Sequence, residues 1–153
     1  MAVVTGKSDL ITDTFDADST RPAPQRANGT PRYAIGSVAN AGTDSDTSMY
    51  LLGSVPADAL VHEDTFFDVE NWGFAQVVIG TETDTDALVD QTKATENIVT
   101  PIAIGDANHG KTWWEALGLA ASPGGEIQLY AHAEANATGA GLMPFRLAWV
   151  DKD

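Results

Sequence analysis

The sequence predicts an all-β protein, an antiparallel β-sandwich with one short helix and an extended N-terminal arm. Roughly seven or eight short stretches are strand-like, with alternating or β-branched residues between Gly, Pro, Asn and Asp turns. At most one or two helical turns occur without strand–helix alternation, which disfavours a parallel sheet. The 153 residues include no cysteine, and this length suffices for one domain with a real core. A jelly-roll-like strand order is one arrangement of such a sandwich.

Residues 1–32 are predicted to be the extended arm, and residues 33–153 the sandwich domain. Pro22, Pro24 and Pro31 prevent a continuous helix in the arm. Four of the eight basic residues lie there. The arm is either a loose terminus or a segment that orders against a neighbouring subunit. In the second case, the residues expected at a subunit or capsid interface are Leu10, Ile11, Phe15, Arg21, Arg26 and Arg32.

The strands of the domain follow from short apolar runs between turn residues. They are predicted at residues 33–38, 49–55, 57–67, 72–80, 97–104, 126–135 and 142–150. The secondary structure of residues 57–67 is ambiguous. The preferred interpretation is a strand that meets the strand at residues 49–55 across Pro56. Residues 72–80 are apolar on both sides, which indicates a central strand. Pro101 places its strand at an edge or a bulge, and residues 87–90 form a short helical turn.

The last two strands alternate most clearly. The side chains predicted to face the core are Ile127, Leu129, Ala131, Ala133, Met143, Phe145, Leu147 and Trp149. The Gly-rich residues 138–141 predict a hairpin turn between these strands.

The run GKTWWEALGL carries the helix signals. Thr112 is the predicted N-cap, and Glu115 completes a capping box three residues later. So short a helix is unstable alone and must pack on the β core. Trp113 and Trp114 are adjacent, so they cannot both point into one core. One of them is expected at a surface that a sister subunit or the capsid covers.

The charge balance limits the partners. Twenty-two acidic and eight basic residues give a net charge of −14. A broad nucleic-acid contact needs a basic surface, and anionic membranes are disfavoured for the same reason. No apolar run is long enough to cross a bilayer, and the first residues lack a signal-peptide pattern. A soluble protein made in a cytosol is expected.

The sequence predicts no catalytic, cofactor or metal site, and therefore no enzyme. It lacks G-x-S-x-G, a phosphate-binding glycine loop and H-E-x-x-H. No histidine pair has metal-binding helical spacing, and hydrogen bonding is the expected role of His62, His109 and His132. The acidic run with Asp84, Asp86 and Asp90 lacks the glycine and glutamate of a calcium loop. This run, like the pair Asp44 and Asp46, is interpreted as a solvated loop.

A carbohydrate-binding sandwich is the rival hypothesis, since aromatic faces suit sugar rings. Trp72 and Trp149 are predicted to face inward from their strand phase. A sugar groove would therefore use Trp113 and Trp114.

Two motifs resemble a family of tailed-bacteriophage virion proteins. The first is YLLGSVPADA at residues 50–59. The second is WEALGL at residues 114–119, followed by SPGG at residues 122–125. The similarity spans residues 33–150, and members of the family are usually taken as head decoration or minor structural proteins.

The resemblance implies a capsid decoration, or cement, protein that binds the outside of the head. Its partners would be the major capsid protein and further copies of itself, as a homotrimer first or a dimer second. It would need no cofactor, and it would be located on the virion after assembly in the host bacterial cytoplasm. A tail or baseplate component is the remaining alternative.

Overall fold

The computed structural model describes residues 2–5, 8, 25–26 and 29–151. Among them nine strands and the short α-helix Trp113–Ala116 form, and Gln25 and Arg26 are also helical, which leaves the predicted all-β class confirmed. The elements are β1 Pro31–Asn40, β2 Met49–Pro56, β3 Leu60–Val61, β4 Phe66–Asp68, β5 Gln76–Gly80, β6 Val89–Thr92, β7 Ile98–Val99, α1 Trp113–Ala116, β8 Glu126–His132 and β9 Gly141–Val150. A 3₁₀ turn at Lys93–Thr95 follows β6.

The strands form two antiparallel sheets. In sheet 1 the order is β1-β9-β4-β7, with β3 also paired to β9. In sheet 2 the order is β2-β8-β5-β6. Successive strands alternate between the sheets, except that β3 and β4 both belong to sheet 1 and β5 and β6 both belong to sheet 2. When β3 and β4 are counted as one interrupted strand, this is the order of an eight-stranded jelly roll.

The interruption between β3 and β4 explains why residues 57–67 are ambiguous in the sequence. Both strands pair with β9, but the register slips by two residues between them. At the gap, the hydroxyl of Thr65 donates to the carbonyl of Ala148 (3.2 Å) and accepts from its N–H (3.0 Å). A slip of two residues preserves the pleat, so Val61 and Phe67 both stay buried.

The core lies between the two sheets. The predicted inward phase of β8 and β9 is confirmed, since Ile127, Leu129, Ala131, Ala133, Met143, Phe145 and Leu147 are buried. Trp149 is only half-buried, and its indole N–H donates to the Asp151 carboxylate at 2.9 Å. β5 lies between β8 and β6, which confirms the predicted central strand. Its ladder begins only at Gln76, and the preceding Trp72 and Phe74 are buried in a loop.

The helical turn predicted at residues 87–90 is wrong. Leu88 donates its N–H to the carbonyl of Ile79 at 2.9 Å, and β6 then pairs with β5 from Val89 onward. Burial of Val89 against the core therefore outweighs the local helical tendency. The strand predicted at residues 97–104 shrinks to β7, which does lie at an edge of sheet 1.

The hairpin predicted at residues 138–141 is also wrong, because β8 and β9 belong to different sheets. The connection crosses the open end of the sandwich, where the buried Asn40 amide holds it. Asn40 donates to the carbonyl of Gly139 (2.9 Å) and accepts from the N–H of Gly73 (3.1 Å). A Cβ atom on Gly73 would lie 2.2 Å from the Gly139 oxygen, so glycine is required at this close approach.

Candidate functional site

Sheet 1 turns an apolar face away from the core. Its side chains alternate with the buried ones along each strand, and the register places Ile35, Arg146 and Phe66 in one row. Ile35 is 76% exposed, and Leu142 and Ile98 are each 45% exposed. We call this surface the outer apolar face; its members are Tyr33, Ile35, Phe66, Ile98, Leu142, Pro144 and Arg146.

Arg146 occupies the middle of the outer apolar face. Its Nε donates to the backbone carbonyl of Asp64 at 2.9 Å. The guanidinium carbon lies 5.0 Å from the ring centroids of both Tyr33 and Phe66. The cation thus contacts two aromatic rings, which partly shield it from water.

A hydrogen-bonded cluster borders the face at the turn between β3 and β4. The Tyr33 hydroxyl donates to Asp64 Oδ2 at 2.6 Å. This bond lowers the pKa of Asp64 and raises the pKa of Tyr33. His62 Nδ1 accepts from the N–H of Asp64 at 3.0 Å, while His109 Nε2 lies 3.7 Å from a carboxylate oxygen of Glu63.

The two tryptophans of α1 differ in burial, and both pack on the chain's own core. Trp113 is fully buried, while Trp114 is half-buried against the core. The backbone N–H groups of Trp113 and Trp114 donate to the carbonyls of Ala59 (3.0 Å) and Ala57 (3.2 Å), which docks α1 on the segment after β2. No described residue accepts a hydrogen bond from the buried Trp113 indole N–H. An exposed pair of tryptophans is excluded, so the sugar groove predicted from this pair is wrong.

The predicted capping box of α1 is present. Glu115 Oε1 accepts from the backbone N–H of Thr112 (3.2 Å) and from its hydroxyl (2.8 Å). These hydrogen bonds lower the pKa of Glu115.

The predicted interface residues of the arm are only partly visible. Leu10, Ile11, Phe15 and Arg21 lie outside the described residues. Arg26 is exposed and has an interaction partner. Arg32 belongs to β1, because that strand begins at Pro31, and it forms an ion pair with Asp151. Arg32 therefore lies at the edge of sheet 1, on a different element from the tryptophans.

Sheet 2 carries an open polar groove of about 460 Å³ on its outer side. The lining includes hydroxyl, amide and carboxylate groups beside one aromatic ring, from Ser54, Glu82, Thr83, Glu126, Gln128 and Tyr130. The Tyr130 hydroxyl donates to Gln128 Oε1 at 3.2 Å. This groove therefore offers a ring and hydrogen-bonding groups on one surface.

The acidic loops have structural roles. Asp44 accepts from the Tyr50 hydroxyl and, at 3.0 Å, from the N–H of Ala41. Burial, together with the bond to Asp44, raises the pKa of Tyr50 to about 12. Asp90 accepts from Gln76 Nε2 at 2.8 Å. Within the described ranges, no three His, Asp or Glu side chains cluster as metal ligands, and no helix has the length and hydrophobicity to span a membrane.

Sequence reasoning missed the outer apolar face. Its signal was present on β9, where the inward set Met143, Phe145 and Leu147 leaves Leu142, Pro144 and Arg146 facing outward. On β1 the signal was ambiguous, because Ala34, Gly36 and Val38 are as apolar as Tyr33 and Ile35. Only the pairing of β1 with β9 shows which set lies outside.

Fold and surface together define a jelly-roll β-sandwich with an exposed apolar face. Comparison of the chain with protein-family models, curated proteins and solved structures finds no match.

Proposed function

We propose that this chain is a structural virion protein that binds the outside of a tailed-bacteriophage capsid and stabilises the assembled head. The outer apolar face is the observation that carries the proposal. Soluble proteins seldom leave such side chains in water on one flat sheet unless another surface covers them. The resemblance of the motifs at residues 50–59 and 114–119 to phage decoration proteins supports the same role.

The proposed partner of the outer apolar face is the major capsid protein. Leu142, Ile98 and Ile35 would bury apolar area, and Arg146 would supply an anchor of the kind enriched in interfaces. The half-buried Trp114 would add to the contact. The net charge of −14 keeps the chain from competing for the packaged DNA.

Stabilisation of the head would follow from mass action. A protein that binds only the assembled shell lowers the free energy of the shell by RT ln(1 + [L]/Kd), where [L] is the concentration of the free protein. This is about 2.7 kcal/mol per site when [L] is a hundred times Kd. This role requires no catalysis. The proposed location is the capsid surface, after assembly in the host bacterial cytoplasm.

The test is cosedimentation of the purified chain with heads of the encoding phage that lack it. The wild-type chain is expected to bind and to raise the temperature at which the heads release DNA. The double variant Leu142→Asp, Ile98→Asp should lose binding. Leu51→Asp, on the outer side of sheet 2 and also exposed, is the matched control that should still bind.

Absence of wild-type binding to heads would overturn the proposal. Microscopy of the particle that places the chain on the tail would favour the tail or baseplate alternative instead.

The second candidate is carbohydrate binding, which the groove of sheet 2 favours. Tyr130 offers a stacking ring, while Glu82 and Glu126 disfavour anionic sugars. Saturation-transfer NMR with neutral oligosaccharides tests this candidate. Binding that Tyr130→Ala abolishes and Tyr33→Ala preserves would support it, and absence of transfer from every sugar would remove it.

A further inference from the structure

β1 is a long terminal strand of sheet 1 among the described residues. It pairs with β9 through ten consecutive residues without a bulge. In the part of the chain that the structure describes, no strand pairs with its other side. The outward N–H and C=O groups of such an edge are a template for one more strand.

This edge lacks the features that usually block strand addition. From Tyr33 to Asn40 the sequence YAIGSVAN contains no charged residue and no proline. Natural edge strands commonly carry inward lysines, prolines or bulges that prevent pairing. Here only the first two residues of the strand, Pro31 and Arg32, have that character.

Charged residues lie at both ends of the edge. Arg32 lies at its start, and its side chain remains 64% exposed although it pairs with Asp151. The loop that directly follows the strand contains Asp44 and the exposed Asp46. An antiparallel copy of the same strand would bring the exposed Arg32 of each copy toward the acidic loop of the other.

We propose that two copies of this chain associate through β1, in an antiparallel pair that continues sheet 1 from one copy into the other. A two-fold axis near Gly36 places Arg32 opposite the partner's Asn40, which is followed by the loop that contains Asp44 and Asp46. The contact is self-complementary, so it closes at two copies. It favours the dimer over the trimer, and it does not depend on capsid binding.

The decisive test uses charge reversal at the two ends. Sedimentation velocity of the full-length chain at low ionic strength should show a concentration-dependent dimer. Arg32→Glu alone and Asp46→Lys alone should each weaken it by about tenfold or more, because like charges then face each other at both ends. An equimolar mixture of the two variants should restore the dimer. In the mixed pair, the carboxylate introduced by Arg32→Glu meets the ammonium group introduced by Asp46→Lys, and the native pair of charges meets at the other end.

The restored mixture separates the proposal from a folding defect, because two misfolded variants would not rescue each other. Failure of the mixture to dimerise, when the wild type does, would overturn the antiparallel arrangement.

A second pair of variants tests the edge itself. Ile35→Lys places a charge in the middle of the strand and should abolish the dimer. Leu51→Lys, on sheet 2, should leave it intact. A wild-type chain that stays monomeric at every concentration would overturn the proposal. Protection of the β1 amides from hydrogen exchange in that monomer would show that the chain covers its own edge.

Discussion

The side chain of Thr65 replaces backbone pairing at the point where β3 and β4 part from β9. Its hydroxyl is fully buried and serves both polar groups of Ala148. A buried group left without its partner costs roughly 1–3 kcal/mol. One hydroxyl therefore satisfies two backbone groups at the interruption.

We expect Thr65→Val to lower the free energy of unfolding by about 2–5 kcal/mol, because both Ala148 groups lose their partner. Thr65→Ser keeps the hydroxyl and loses one methyl group, so about 1 kcal/mol is expected. Urea unfolding of both variants measures the difference. A larger loss for Ser than for Val would show that packing of the methyl group, and not the hydroxyl, matters at this position.

The hydrogen bond between Tyr33 and Asp64 shifts the pKa values of the two groups in opposite directions. Because the pKa of Asp64 is lowered in the fold, ionised Asp64 stabilises the protein at pH values above the ordinary aspartate pKa of about 3.9. That contribution is lost as the pH falls through the lowered value. The raised pKa of Tyr33 matters at alkaline pH, because the stability that the protonated hydroxyl contributes is lost as the pH rises through that raised pKa.

We expect Tyr33→Phe to return the pKa of Asp64 toward its ordinary range, because its strongest hydrogen bond is removed. Carboxyl-carbon NMR titration of Asp64 measures this shift. Tyr130→Phe removes a tyrosine hydroxyl elsewhere and should leave Asp64 unchanged. A lowered Asp64 pKa that persists in Tyr33→Phe would show that His62 or Arg146 is the main cause.

At the scale of elements, α1 depends on its cap and on its docking site. Four residues do not form a stable helix alone. Its start is held by Glu115, and its buried Trp113 and Leu117 anchor it to the core. The pKa of Glu115 is lowered in the fold, so the ionised cap stabilises the protein at pH values above the ordinary glutamate pKa of about 4.3. This stabilisation is lost as the pH falls through the lowered pKa.

We expect Thr112→Ala to destabilise the protein by about 1 kcal/mol, since the N-cap is lost. Glu115→Gln should keep the capping geometry without the acid-dependent loss. Unfolding free energies of wild type and Glu115→Gln from pH 7 to pH 3 test this, and parallel curves would contradict it.

At the scale of the whole molecule, self-repulsion among acidic groups opposes the compact state. The net charge is −14, because 22 acidic residues face only eight basic ones. We expect the unfolding temperature to rise when NaCl is increased from about 0.01 M to 0.15 M, because the Debye length falls from about 30 to 8 Å.

Thermal unfolding followed by circular dichroism measures that rise. The variant Glu82→Gln, Glu126→Gln carries two fewer negative charges and should show a smaller salt effect. An unfolding temperature that stays constant or falls with NaCl would show that attractive pairs outweigh the repulsion.

The sequence by itself determined the fold class, the inward phase of β8 and β9, the central position of β5 and the capped helix. These features depend on period-two alternation and on residues three apart in the chain, which are local signals. It also predicted that Trp113 and Trp114 differ in environment, because neighbours on a short helix cannot share one direction; Trp113 is fully buried and Trp114 partly so.

Only the tertiary structure decided which residues form the outer apolar face, the groove and the free edge. Each depends on which strands become neighbours, and that choice is made by burial of the core, between residues far apart in the chain. The predicted hairpin at residues 138–141 failed for this reason, since Asn40 and Gly73 hold the connection from a distance. The same long-range pairing places β1 at one end of sheet 1 among the described strands.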